Sequence, residues 1–404
     1  MTYTLLIKNC GQLLTMRSGG LGIVKNAFVA CEADKIVDFG PMKKLKRGMV
    51  GPKTKVVDAE GKVVMPGLVD CHTHLIFAGN RSNELKIKLE GKSYLDILKS
   101  GGGIHSTVSA TCKASHAELL KNALGHLKDM LAYGITTVEI KSGYGLDLKN
   151  ELKILDVAEE VGRRQPVRVL KTFLGAHTIP RGEQAAKYLK FLVDEVLPKV
   201  KVDFVDIFCE KGTFSLRESR KYLASAKALG FDLKIHAEQI NRLGGARMAA
   251  KLGAVSVDHC DQLTARDIRK LAKYNSVVVL LPLVPFYLGE NKFANGRAMI
   301  DAQLKVAVST DFNPGSAPSK NIFLAMTMAC LKMGLTPEEV LRGVTINAAA
   351  ALKMEKKIGS IEKGKLADIL ITKVVDYSEI PYWFGENPVD KVFIGGKSVY
   401  SVLK

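Results

Sequence analysis

Val63-Val64-Met65-Pro66-Gly67-Leu68-Val69-Asp70-Cys71-His72-Thr73-His74 opens as an apolar, β-branched run and closes on His-x-His. The run has the character of a strand buried on both faces of a parallel sheet. On an extended chain residues i and i+2 face the same side, so both imidazoles can reach one ion. A doubly wound open sheet would be expected to carry a Gly-rich turn directly after its first strand. This chain has two histidines there.

Moving outward, similar runs recur at 136–141, 167–174, 204–209, 233–236, 255–259, 277–281 and 306–310, with helical stretches between them. One helix announces both of its ends. Ser115 and Glu118 form an S-x-x-E capping pattern, Leu119, Leu120, Leu124, Leu127 and Leu131 recur at helical spacing, and Gly134 stops it. Together with 63–71 the runs predict an α/β chain whose residues 65–354 form a (β/α)8 TIM barrel. The flanks read differently. Residues 1–64 hold short β segments at 4–7, 27–31, 35–39 and 55–58, broken by glycines. Residues 355–404 hold segments at 367–373, 389–394 and 398–402, the last two around a Gly395-Gly396 turn. The two flanks are expected to pair into one composite β-sandwich domain.

The bulk numbers narrow the class. A chain of 404 residues, 47% hydrophobic and 25% charged, suits a barrel plus a satellite domain and leaves no room for long disorder. The net charge of +18 raises nucleic-acid or membrane attraction. The lysines are scattered, however, and the densest run, 353–365, is interleaved with Glu355 and Glu362. The surplus therefore reads as a solvated surface, with neither nucleic acid nor membrane as partner. The seven cysteines form no C-x-x-C pair, which argues against a disulfide framework or a thiolate zinc site and suits a reducing cytoplasm. No secretory signal is legible at residues 1–16, and no apolar run is long enough to span a bilayer.

Of eight histidines, His72, His74, His177, His236 and His259 lie at or just past the C-terminal end of an expected strand. In a barrel that is the active-site face. His116 and His126 fall on the capped helix and read as surface residues. His236 ends the fifth strand and Asp311 the eighth. Three imidazoles and a carboxylate make a first shell for one divalent ion, Zn(II) or Fe(II), with room for water.

These pieces resemble the amidohydrolase superfamily. The match runs through Pro66 to His74, His236, His259 and Ser309-Thr310-Asp311, then Asn347-Ala348-Ala349-Ala350 and the stretch from Gly359-Ser360-Ile361 to Ala367-Asp368. The resemblance implies a barrel with a sandwich made from both termini. Narrower motifs resemble the imidazolonepropionase family within it. They are Phe77-Ala78-Gly79-Asn80-Arg81; Tyr94 before Gly101-Gly102-Gly103-Ile104; Glu139-Ile140-Lys141-Ser142-Gly143-Tyr144-Gly145; Phe173-Leu174-Gly175-Ala176-His177; and Asp311-Phe312-Asn313-Pro314-Gly315-Ser316. That resemblance implies a small-molecule substrate, a five-membered imidazolone ring with a propionate arm, and a homodimer. It implies hydrolysis of the ring amide.

Arg81 is then the expected carboxylate holder, because a guanidinium offers two parallel hydrogen bonds. Tyr94 and Tyr144 are expected to add hydroxyl contacts, and Asn313, Gly315 and Ser316 to meet polar ring atoms. Asp311 is expected to move the proton and His177 or His259 to stabilise the oxyanion. Gln239 is expected to hydrogen-bond the ring; as an amide it cannot titrate. Glu238 should point to the opposite face. Lys171 lies within the third strand and Cys209-Glu210 follow the fourth, so no lysine is placed to bridge two ions, and one metal is expected. The competing readings are a dihydroorotase-like or guanine-deaminase-like enzyme and, more remotely, a non-catalytic scaffold.

Overall fold

The computed structural model describes residues 2–17, 19–89 and 102–402; Tyr94 and Gly101 lie outside them. The chain begins with β1 (Leu5–Leu14), β2 (Ile23–Glu32), β3 (Lys35–Pro41), β4 (Lys55–Asp58) and β5 (Val63–Pro66). The barrel strands follow: β6 (Leu68–Asp70), β7 (Ile135–Lys141), β8 (Arg168–Ala176), β9 (Phe204–Cys209), β10 (Asp232–Leu233), β11 (His236–Ala237), β12 (Ser256–His259), β13 (Val277–Leu280) and β14 (Val306–Val308). The last three are β15 (Ile369–Thr372), β16 (Val389–Ile394) and β17 (Lys397–Ser401).

The barrel is parallel, in the order β6-β7-β8-β9-β11-β12-β13-β14, with β10 paired to β9. It closes where the chain after β6 meets the chain after β14. The His74 N–H donates to the Phe312 carbonyl at 2.9 Å and the Asp311 N–H to the His72 carbonyl at 3.1 Å. Closure thus joins the His-x-His directly to the eighth-strand aspartate. The strand expected at 233–236 is in fact two short pieces, β10 and β11, either side of Lys234-Ile235.

The terminal strands form one eight-stranded sheet in the order β17-β16-β15-β5-β1-β2-β3, with β4 on β1. N- and C-terminal strands meet where β15 runs antiparallel to β5, Ile369 opposite Pro66. Leu5, Ile7, Leu13, Val29, Ile371 and Phe393 fill the core beneath it. The run at 63–71, expected as one strand, serves two sheets. It leaves the satellite sheet at Pro66 and enters the barrel at Leu68. Gly67 makes the passage, and a Cβ there would lie 2.4 Å from the Thr136 side chain, so no larger residue fits.

The capped helix spans His116–Ala132, with the Ser115 hydroxyl accepting from the Glu118 N–H. Leu119, Leu127 and Met130 bury its inner face against the barrel core. His126 departs from the surface reading. Its ring is half-buried, stacked 5.3 Å from Phe77 and edge-on 4.9 Å from Phe312. Among the described residues no helix is long and apolar enough to cross a membrane.

Candidate metal centre

His72, His74 and His236 present ligand nitrogens that all lie within 4.8 Å of one another. Asp311 completes the group, with its Oδ1 3.3 Å from His72 Nε2 and 3.3 Å from His74 Nε2. His236 Nε2 stands 3.4 Å from His74 Nε2. Two of these atoms, His72 Nε2 and Asp311 Oδ1, are buried without a hydrogen-bond partner. An orphaned buried polar atom is costly, and these two lie 3.3 Å apart among the ligand atoms.

Two of the other ring nitrogens face carboxylates, while His74 Nδ1 is buried without a partner. His72 Nδ1 lies 2.6 Å from Asp258 Oδ2, and His236 Nδ1 lies 3.0 Å from Asp206 Oδ2. A carboxylate at Nδ1 holds the proton there and turns the Nε2 lone pair toward a metal. Behind the histidines sits a sealed ionic layer. Lys141 Nζ is 2.8 Å from Asp206, 3.0 Å from Glu139 and 3.7 Å from Asp258. Lys234 Nζ is 2.9 Å from Glu139 and 4.0 Å from Asp258, and donates to the Cys71 carbonyl at 3.0 Å.

Burial alone would push these acids up, but the facing lysines and histidines hold Glu139, Asp206, Asp258 and Asp311 below their ordinary values. Four buried carboxylates thus face two buried ammonium groups. The local excess of negative charge suits a cation at the histidines. The donor set, its orphaned atoms and its charge all fit such an ion.

The strand ends carry strain. Glu238, His259, Cys260 and Asp311 all have positive φ, between 52° and 75°. For non-glycine residues this costs on the order of 1 kcal/mol each, and such strain gathers where side chains must be aimed. Glu238 spends its carboxylate on the N–H groups of Leu243, Gly244, Gly245 and Ala246, at the start of the helix Gly245–Leu252.

Two further expected histidines sit beside this cluster. His177 stacks on His74 at 4.8 Å, and His259 lies 5.3 Å from His236 and 5.7 Å from His72. Burial holds both well below the ordinary histidine value, so both are neutral, and the Nδ1 of each is unpartnered. Tyr144 is buried 5.5 Å from the His177 ring; burial pushes its hydroxyl up, and it stays a neutral donor. Arg81 Nε donates to Thr107 Oγ1 at 2.8 Å, and its guanidinium lies against the Gly315 backbone.

Asn313 is committed to its own loop. Its amide nitrogen donates to Asp311 Oδ2 at 3.0 Å and to Ser316 Oγ at 2.9 Å, and its oxygen accepts from the N–H groups of Gly315 and Ser316. It therefore fixes the outer oxygen of Asp311. Gln239 is half-buried just past β11 and lines a small cavity of about 80 Å³ with Asp261, Val284, Pro285 and Lys292. Lys171 points away and pairs with Glu159 on the outside of the barrel.

Sequence reasoning gave no role to Glu139, Lys141, Asp206, Lys234, Asp258 or Thr107. The available signal was charge inside otherwise apolar strands, as in Phe204-Val205-Asp206-Ile207 and Val257-Asp258-His259. A buried charge demands a partner, so those residues marked an interior site.

Two models described as "Amidohydrolase family" match residues 55–90 and 215–399. A solved adenosine deaminase from Xanthomonas campestris with bound zinc superposes with a TM-score of 0.72 at 19% identity, covering 98% of this chain and 93% of its own. That likeness shows the fold alone. The imidazolonepropionase of Alkaliphilus oremlandii is 44% identical over 99% of this chain and 98% of its own. That of Bacillus cytotoxicus is 45% identical over 98% and 97%. The chain belongs to the imidazolonepropionase family of amidohydrolases, hydrolases that act on carbon–nitrogen bonds of cyclic amides.

Proposed function

We propose that this chain hydrolyses the ring amide of 4-imidazolone-5-propanoate to N-formimidoyl-L-glutamate, a step of histidine degradation, using one Zn(II) or Fe(II) ion held by His72, His74, His236 and Asp311. The observation that carries the reading is the convergence of those four side chains on one point, backed by carboxylates at the far nitrogens of His72 and His236. The relatives named imidazolonepropionase support the substrate.

The ion, when bound, would supply Lewis acidity, polarising the ring carbonyl and making water a stronger acid. The chain's own groups handle position and protons. Arg81 holds the propionate arm, and Tyr144 contributes a neutral hydroxyl nearby. Asp311, ionised and held by Asn313, takes the proton released as water adds to the ring carbonyl. His177 and His259, neutral because buried, each offer an N–H to the oxygen that becomes negative. The departing ring nitrogen takes up the proton that Asp311 accepted, which returns Asp311 to its ionised form. Gln239 hydrogen-bonds the ring, with Gly315 and Ser316 at its edge; Tyr94 joins them on the sequence motif alone.

A reducing cytoplasm suits seven free cysteines. The exposed Tyr382, Trp383 and Phe384 are where two copies would gain by association, and light scattering tests the homodimer. The test of function is turnover of freshly generated imidazolone propionate beside a dihydroorotate and guanine panel, with metal analysis of the same sample. Preference for either panel member over the imidazolone would sink the reading.

A further inference from the structure

Arg81 stands at the start of the helix Ser82–Leu89, and a second helix spans Ile104–Lys113. Two threonines one turn apart on that second helix are buried, Thr107 and Thr111. Each reaches back to the loop that follows the His-x-His. Thr111 Oγ1 accepts from the Ala78 N–H at 3.1 Å, and Thr107 Oγ1 accepts from Arg81 Nε at 2.8 Å. The helix is itself tethered to the Arg81 side, because the Gly103 N–H donates to Glu84 Oε1 at 2.7 Å. On the other flank the guanidinium rests on Gly315. A Cβ built there would lie 2.1 Å from Arg81 Nη1 and 2.6 Å from Cζ.

A guanidinium can grip a carboxylate side-on, through Nε and one terminal nitrogen, or end-on, through both terminal nitrogens. Thr107 occupies Nε and so removes the side-on mode. Gly315 fixes the plane by admitting the guanidinium against bare backbone. We propose that Thr107 is a positioning residue for the acid arm of the substrate, presenting Arg81 end-on, with Gly315 as the floor that keeps it there. The inference rests on Arg81 being the carboxylate holder and adds how that holder is aimed. It makes the enzyme selective for an anionic arm through orientation as well as charge.

The test compares Thr107→Val and Thr107→Ser with the parent on two substrates, the propionate and its propionamide analogue, whose arm is uncharged. Thr107→Ala, which removes the hydroxyl without placing a methyl against Arg81, is the second variant should valine disturb folding. Loss of the hydroxyl is expected to raise KM for the acid about five- to tenfold with kcat within about twofold, the signature of lost binding orientation. Serine should restore the parent KM, and the propionamide should show equal KM on parent and variants. An unchanged KM for the acid in Thr107→Val and Thr107→Ala, while Arg81→Ala raises it, overturns the proposal and leaves Arg81 in place. Equal rises for acid and amide also overturn it, since a structural defect would act on both. An unchanged KM in Arg81→Ala rejects the underlying assignment instead.

Discussion

Replacing Asp258 by Asn removes one negative charge and almost no volume. Asp258 Oδ2 lies 2.6 Å from His72 Nδ1, 3.7 Å from Lys141 and 4.0 Å from Lys234, all at zero exposure. Two costs follow. The hydrogen bond to His72 falls from charge-assisted to neutral, roughly halving a contact worth about 1.5–3 kcal/mol. The two lysines also lose a shared counter-ion. At an effective dielectric of about 20 a unit pair near 4 Å is worth about 4 kcal/mol, and Glu139 and Asp206 offset part of its loss. Neutralising Asp258 also relieves its repulsion with Glu139, so the apo protein should lose only about 1–3 kcal/mol of stability. Metal affinity should fall about 10- to 100-fold, because His72 no longer has its proton held firmly at Nδ1. Chelator competition with zinc measures the affinity, and urea denaturation of metal-free protein measures the stability. A variant that binds zinc within twofold of the parent would refute the orienting role of Asp258, whatever its stability.

Four further outcomes are expected. Gly67→Ala forces a Cβ to 2.4 Å from Thr136 and should cost about 1–3 kcal/mol by denaturation; an unchanged midpoint would contradict the close approach. Burial pushes the Cys10 and Cys31 thiols up to about 12, so both should resist a disulfide reagent at pH 8 until the chain unfolds; rapid native labelling of either would count against that packing. His126, lowered to about 4 by burial first and Lys320 second, binds fewer protons folded than unfolded between about pH 6.5 and 4. Stability should thus fall as pH drops through that window, by about 1–2 kcal/mol after allowing for its partial exposure. His126→Gln should lose less between pH 7 and pH 4.5 than the parent, and an identical pH slope would remove His126 as the cause. Gly315→Ala should displace the Arg81 guanidinium and raise KM for the acid substrate at least as much as loss of Thr107 does; an unaltered KM would place the guanidinium elsewhere.

The His-x-His and the strand-end aspartate were readable because each follows an apolar run, and a period of two places both imidazoles on one side. The composite sheet was readable from β segments at both ends of the chain. The double duty of 63–71 was not, because the handover at Gly67 depends on Thr136, which a local pattern does not reveal. The buried ionic layer escaped for a similar reason. Glu139, Lys141, Asp206, Lys234 and Asp258 are local exceptions in apolar strands, and only barrel closure shows that they point at one another. The Arg81–Thr107 contact joins a loop to a helix 26 positions away, and the Arg81–Gly315 contact spans nearly the whole barrel. Asn313 adds a link that its residue type did not announce, the hydrogen bond by which it holds Asp311.

Metal content per chain, taken on purified parent, His236→Ala and Asp311→Ala after dialysis against a mild chelator, bears on the central claim most directly. One equivalent of a divalent metal in the parent and under about a tenth in either variant is the expected result, given that each removes one of four ligands. Two equivalents in the parent, or full retention in both variants, would place the ion somewhere other than among these four side chains.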